Sequence, residues 1–449
     1  MENIDKDNII LLLDNYGPDS KKLHESFVLA GKDYPVFVID DDGFLPDNVT
    51  SVFSYFLGDY KNSEKVPGKP LYFNQIKVPE YWAISGTNSM GKVHDLNKMR
   101  AKIFYALPKH KRLVRVVDWY DDRGVVRFSD HYNKYGALYA RTIFNANGQK
   151  VTKSYFSADG REIIVENYVT KDIILNEGNV VKIFKNHQEF VSYVLECAGY
   201  TGHRVFFNTL STSFFVSLNL PENGKGDVLF WQEPVADEIP GNMQAILNGT
   251  AKRAAKVYVQ RKDAYEQLLR LGAPASVISP LGYIYPFKKE NRGKKEVLIC
   301  TNSDNLAEIN KLVEALPEMH FSIAALTEMS SKLLSMGRYG NVSLFPNVKM
   351  KLLDTLFADA DFYLDINHES EIVSAVERAF LHNHLIFAFR ETLHNPCYVP
   401  KEHIFTKDEV KTLVRELKTV IGNTVRLNEG LERQKAFAML ETKETYLGI

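Results

Sequence analysis

The chain has 449 residues, more than one hydrophobic core serves at roughly 100 to 200 residues per domain, so several folded units are expected. Apolar residues make up 45% and aromatic residues 12%, which excludes a disordered chain, and 55 basic against 56 acidic side chains leave a net charge of -1, which excludes the basic field of a general nucleic-acid binder. The three cysteines, Cys197, Cys300 and Cys397, are far apart and form no Cys-x-x-Cys pair, which argues against a disulfide framework and a zinc site.

The sequence opens on MENIDKDN, acidic where a secretion signal would be basic, and the apolar run Ile9 to Leu13 is too short for one. No stretch reaches the about 18 apolar residues of a membrane span, so a cytoplasmic protein is expected. Ile9 to Leu13 reads instead as a buried strand. A turn at Asn15-Tyr16-Gly17-Pro18 follows it, then a helix from Ser20 to Ala30 with Leu23, Phe27 and Ala30 on one face, then a second buried strand from Tyr34 to Asp40. Strand, helix and strand in that order open a doubly wound parallel sheet. Gly17 stands alone where a nucleotide-binding turn would carry Gly-x-Gly-x-x-Gly, so donor binding by this first domain is not supported.

Val66-Pro67-Gly68-Lys69-Pro70 breaks regular structure, and a long region of period-two alternation follows. Leu113 to Tyr120, Val125 to Phe128, Leu138 to Phe144, Val151 to Phe156, Ile163 to Tyr168 and Val180 to Phe184 read as strands, with glycine and asparagine supplying the hairpin turns between them. The expected product is an antiparallel meander with one solvated face, a platform for an extended peptide or another subunit. The basic cluster Lys109-His110-Lys111-Arg112, with Arg115, is a candidate for peripheral contact with a membrane.

From His187 the helical period returns, with Phe190, Val191, Val194, Leu195 and Ala198 three and four apart, and short strands at 204–208, 228–232, 257–259 and 275–279 resume the α/β pattern. The meander therefore reads as an insertion. A charged, turn-rich linker from Gly282 to Lys295 precedes a second doubly wound unit, whose strands at 296–300, 320–325, 342–345, 362–366 and 385–388 alternate with helices at 306–316, 328–336, 350–358, 371–381 and 407–420. A last helix covers 428–441. The expected domains are 1–65 and 187–285 for the first Rossmann-like half, 66–186 for the insert, 286–430 for the second half, and 431–449 for a C-terminal helix returning to the first.

Two carboxylates, Glu369 and Glu377, lie on the loop and helix of DFYLDINHESEIVSAVERAFLHNHLIFAF, with Arg378-Ala379-Phe380-Leu381 following. Two Rossmann-like halves, a central linker, a returning helix and this spacing resemble the retaining glycosyltransferases of the GT-B fold. The resemblance implies an α/β protein of GT-B architecture with an inserted antiparallel β-sheet domain. A narrower one covers essentially the whole chain: the insert VRFSDHYNKYGALYARTIFNANGQKVTKSYFSADGREIIVENY, the segment FWQEPVADEIPGNMQAILNGTAKRAAKVYVQ and the divergent INHESEIVSAVERAF resemble the GtfB-type glycosylation subunits of the accessory Sec system. That resemblance implies a homologous catalytic partner subunit, an unfolded Ser/Thr-rich acceptor polypeptide, and a non-catalytic, stabilising role in placing the first N-acetylglucosamine on serine-rich repeat adhesins.

The residues bear on that implication. Asn302 to Asn310 carry Asp304 and Glu308 and no arginine or lysine before Lys311, where a diphosphate would need cations. Ser370-Glu371-Ile372-Val373 replaces the glycines that let a backbone approach a sugar, and the β-branched pair disfavours a positive-φ turn. Glu369 and Glu377 are therefore expected to be vestigial donor-site positions, with no catalytic residue and no cofactor. His368, His382, His384 and His394 lie nearby without an Asp-x-Asp, so no metal is expected. Acceptor contact falls to the tyrosine-rich insert, with Tyr132, Tyr135, Tyr139, Tyr155 and Tyr168 as candidates. The competing expectation is an active retaining transferase using Glu369 and Glu377 on a UDP-sugar.

Overall fold

Aliphatic runs without polar alternation bury both faces of a strand, and in the computed structural model they form the centres of two parallel sheets. The structure describes residues 8–222 and 226–449; residues 1–7, most of the acidic leader read against a secretion signal, lie outside the described residues. Contacts divide the chain after Leu281 into two units.

In the first unit a seven-stranded parallel sheet runs, edge to edge, Ile278–Pro280, Ala254–Val259, Asp227–Trp231, Arg204–Phe207, Ile9–Asn15, Val36–Asp40 and Val49–Ser51. Ile10 to Leu13 are wholly closed from solvent, as their apolar run requires. Pro18–Leu29 packs Leu23 and Phe27 inward, and Phe27 meets Phe206 and Phe230 of two neighbouring strands with ring centroids 5.7 Å away. At the amino ends of the strands Asp227–Trp231 and Ala254–Val259, Arg253 and Asp227 form a buried bidentate pair, Nε to Oδ2 at 2.8 Å and Nη2 to Oδ1 at 3.1 Å. Ser217 Oγ and the amide of Val205 complete the carboxylate's shell at 2.6 and 2.9 Å.

The insertion leaves this sheet after Val49–Ser51 and returns at the helix His187–Cys197. It is a ten-stranded antiparallel sheet in chain order, from Ala83–Gly86 to Val180–Phe184. Four of its strands, Ala83–Gly86, Met90–Asp95, Lys98–Tyr105 and Ile173–Glu177, escape the sequence reading. In MGKVHD the buried face carries only Gly91 and Val93, so alternation there is weak, whereas KMRAKIFY buries Ala101, Ile103 and Tyr105 with a period of two that the apolar Met99 and Phe104 on its other face obscure. The early strands close over a core of their own, with Val93, Ala101, Ile103, Val114 and Val117. The later ones put Tyr139, Ala140, Tyr155, Ile164, Ile173 and Leu175 into the same core as the parallel sheet.

The second unit carries a six-stranded parallel sheet in the order Val342–Phe345, His320–Ala325, Glu296–Thr301, Phe362–Asp365, Leu385–Phe389, Ile404–Phe405, with apolar clusters on both faces. The helix expected from Glu371 begins only at Ala375, because Val373 and Ser374 adopt φ of 49° and 50°. This overturns the expectation that β-branched residues keep the turn out of the left-handed region. Helix Thr424–Phe437 is stitched to the sheet by Gln434, whose amide donates to His384 O at 2.8 Å and accepts from Ile386 N at 3.0 Å. Among the described residues no helix is long and apolar enough to cross a membrane.

Candidate functional site

Ligands of open α/β sheets sit outside the carboxyl ends of the strands. In the second unit that edge is occupied by the chain's own polar groups. Thr301 ends its strand buried, and its hydroxyl bonds Ser303 O at 2.7 Å and Asn367 Oδ1 at 2.9 Å. Asn367, also buried, donates to Asn302 Oδ1 at 3.1 Å and to the carbonyls of Glu369 and Ser370 at 3.0 and 3.3 Å, so one side chain ties the loop after Thr301 to the loop after Asp365. Asp304 accepts from Ser330 at 2.8 Å, and Lys311 lies 2.6 Å from Glu308.

Glu369 is exposed, and its carbonyl, already bonded to Asn367, also receives Nε2 of His394 at 2.6 Å. The other nitrogen of that ring, Nδ1, lies 2.5 Å from Oδ1 of buried Asp365. Both partners are acceptors, so both ring nitrogens must donate and the ring is an imidazolium. The bond to Asp365 pushes the His394 pKa up to about 9. The histidine thereby clamps the loop that carries Glu369. Glu371, whose pKa is raised by burial, caps the following helix by accepting from Val376 N at 2.8 Å. Glu377 accepts the Tyr398 hydroxyl at 2.8 Å. Its neighbour Arg378 pairs with Asp354 and lies over the Phe357 ring.

His382 Nδ1 is bonded to Arg378 O at 2.7 Å and His384 Nε2 to Phe357 O at 2.8 Å. Burial pushes His384 down to about 3. Among the described residues no group of His, Cys, Asp and Glu is arranged to hold a metal.

The corresponding edge of the first unit is filled by a side-chain network. Asp14 accepts from Thr209 Oγ1 at 2.6 Å and Ser213 N at 3.0 Å, while Asn208 bonds Ser20 at 2.9 Å and Gln232 bonds Gln260 at 2.9 Å. Among the described residues nothing there resembles a glycine-rich turn.

The five tyrosines occupy different surroundings. Tyr135 and Tyr139 reach one cavity of about 290 Å³, where the insert meets the loops after Val36–Asp40 and after Leu57. Tyr139 is buried and donates to Asp41 O at 3.0 Å; Tyr135 is half-buried, with its hydroxyl 3.3 Å from Asp47. The Asp47 carboxyl is held down to about 2, first by Lys134 and then by Lys61. Gly43 makes this junction possible: at φ +83° a Cβ there would stand 2.8 Å from Tyr132 O and from the Tyr139 ring. Tyr155 is buried, stacked on Phe53 at 4.3 Å, and shares Glu166 with half-buried Tyr168. Tyr132 is half-buried against the insert's own core. Sequence reasoning missed Asp47, Lys134, Asp365 and Tyr398, whose partners are distant in the chain and leave no local pattern.

Four family descriptions match consecutive stretches: GtfB N-terminal domain over 10–56, GtfB middle domain over 82–185, GtfB third domain over 187–271, and GftB/GlyA-F C-terminal domain over 297–434. The chain is similar to the UDP-N-acetylglucosamine–peptide N-acetylglucosaminyltransferase stabilizing protein GtfB of Streptococcus agalactiae, 42% identical over 440 residues and 98% of each chain. The protein of the same name from Streptococcus pneumoniae is 40% identical, over 98% of this chain and 100% of that one. Among solved structures, a chain of the GtfA/B complex bound to UDP and GlcNAc superposes with a TM-score of 0.91 at 39% identity, covering 98% of both.

Proposed function

This chain belongs to the GtfB family, and from that premise we propose that it is the non-catalytic, stabilising subunit of a protein O-GlcNAc transferase. In this reading it has GT-B architecture and pairs with a homologous catalytic subunit. It helps place the first N-acetylglucosamine on serine or threonine of serine-rich repeat adhesins. Its second task is to hold the unfolded Ser/Thr-rich acceptor through many weak contacts along an extended chain. The half-buried Tyr135, on the 290 Å³ cavity, Tyr132 and Tyr168 are its open candidates for that contact, while Tyr139 and Tyr155 support them from the core. Action in the cytoplasm, with Lys109 to Arg112 and Arg115 as a peripheral membrane contact, belongs to the same reading.

The observation that carries the proposal is the carboxyl edge of the second sheet. A nucleotide-sugar diphosphate needs cations or converging amides. Here it would meet Asp304 and Glu308, with Lys311 already paired to Glu308 and Glu377 already bonded to Tyr398. Calorimetry of the isolated chain with UDP and UDP-N-acetylglucosamine tests this: no micromolar binding is expected. Micromolar affinity, with turnover lost in Glu369→Gln, would overturn it.

One observation favours the competing reading of an active retaining transferase. The left-handed backbone at Val373 and Ser374 preserves a turn that glycines would otherwise provide. The same titration decides between the two. A third reading, a scaffold without acceptor contact, predicts no crosslink between this chain and a Ser-rich peptide, whereas the proposal predicts one.

A further inference from the structure

At the amino-terminal edge of the second sheet, opposite the edge described above, lies a cavity of about 350 Å³. Four cations, Lys288, Lys289, Arg292 and Lys294, line it against two carboxylates, Asp359 and Asp361. Asp361 is fully buried and its charge is already answered: it takes Lys289 Nζ at 2.5 Å and the amides of Arg292 and Lys294 at 2.9 and 2.8 Å. These bonds also fix the segment that carries the cations. Lys288 N is anchored on Leu381 O at 2.8 Å, and Asn291 donates to Asp361 O and Asn383 O, both at 2.8 Å. Lys288, Arg292 and Lys294 are exposed, and none has an ion pair among the described residues.

With Lys289 given to Asp361, three cations and the single exposed carboxylate of Asp359 remain on a fixed backbone around one concavity, and the excess positive charge is relieved by a multivalent anion. Arg292 offers the fork that matches a phosphate, and the lysines offer point charges. We propose that this cavity binds a phosphate group, free or on a lipid headgroup, independently of the acceptor and donor questions raised above. His382 lines the same space, and its pKa is lowered by burial first and then by Lys288, Arg378 and Lys289, so it reports the local positive field.

Titration of the full chain with inorganic pyrophosphate, read by calorimetry and by the His382 ring resonances, tests the proposal. One site is expected, and His382 should titrate at higher pH once the anion offsets the cations around it. The triple variant Lys288→Ala, Arg292→Ala, Lys294→Ala removes only exposed side chains and should bind at least about tenfold more weakly. A parallel arm uses vesicles of phosphatidylglycerol against vesicles of phosphatidylcholine. Triple-variant-sensitive binding to the former assigns a lipid headgroup, and such binding to pyrophosphate without vesicle binding assigns a free phosphate. Binding that the triple variant retains in full, or no binding in either arm, overturns the proposal.

Discussion

Arg253 and Asp227 are closed from water, at 1% and 0% side-chain exposure, and such a pair is expensive to break from one side. Arg253→Met should lower the unfolding free energy in urea by about 3–5 kcal/mol, since it strands a buried carboxylate. A loss near that of an exposed pair would show the charge to be relieved in another way. His394 makes a pH-dependent contribution. Its folded pKa of about 9 lies above the about 6.5 of an unfolded histidine, so the stability it adds is complete below that lower value and is lost as pH rises through about 9. The difference in unfolding free energy between the natural chain and His394→Gln should therefore be large at about pH 6 and shrink by about pH 10. A difference independent of pH would contradict the imidazolium clamp.

Among the elements, the loop before Ala375–Leu381 and the junction of insert and sheet carry the most readable strain. Ser374 is exposed, left-handed, and makes no side-chain cap, so Ser374→Gly should stabilise the chain by about 1 kcal/mol in the same unfolding measurement. Gly43→Ala should do the reverse, costing about 3 kcal/mol, because a methyl would meet Tyr132 O and the Tyr139 ring in a backbone region that alanine resists. Both parallel sheets were legible because their strands are unbroken aliphatic runs, and Glu369 and Glu377 were legible as a spacing. Less legible was which face of the insert is wet. Alternation marks two faces without naming them, and here the early strands cover a private core while Tyr139 and Tyr155 enter the core of the parallel sheet. The sequence likewise flagged His394 but could not supply Asp365 as its partner, or Tyr398 for Glu377, since those bonds join separate elements.

For the whole molecule, the proposal makes two carboxylates dispensable while keeping the chain itself necessary. Family membership supports the second half, and the polar closure around Thr301 and Asn367 supports the first. The most direct measurement is transfer of N-acetylglucosamine from UDP-N-acetylglucosamine to a Ser-rich peptide by the reconstituted pair of this chain and the catalytic subunit proposed for it. The variant to use is Glu369→Gln with Glu377→Gln, which keeps the size of both side chains and leaves an amide oxygen to accept from Tyr398. We expect turnover by the variant pair to equal that of the natural pair, and to fall when this chain is omitted. Turnover abolished by the two substitutions in a pair that still assembles would contradict the account and return catalysis to this chain.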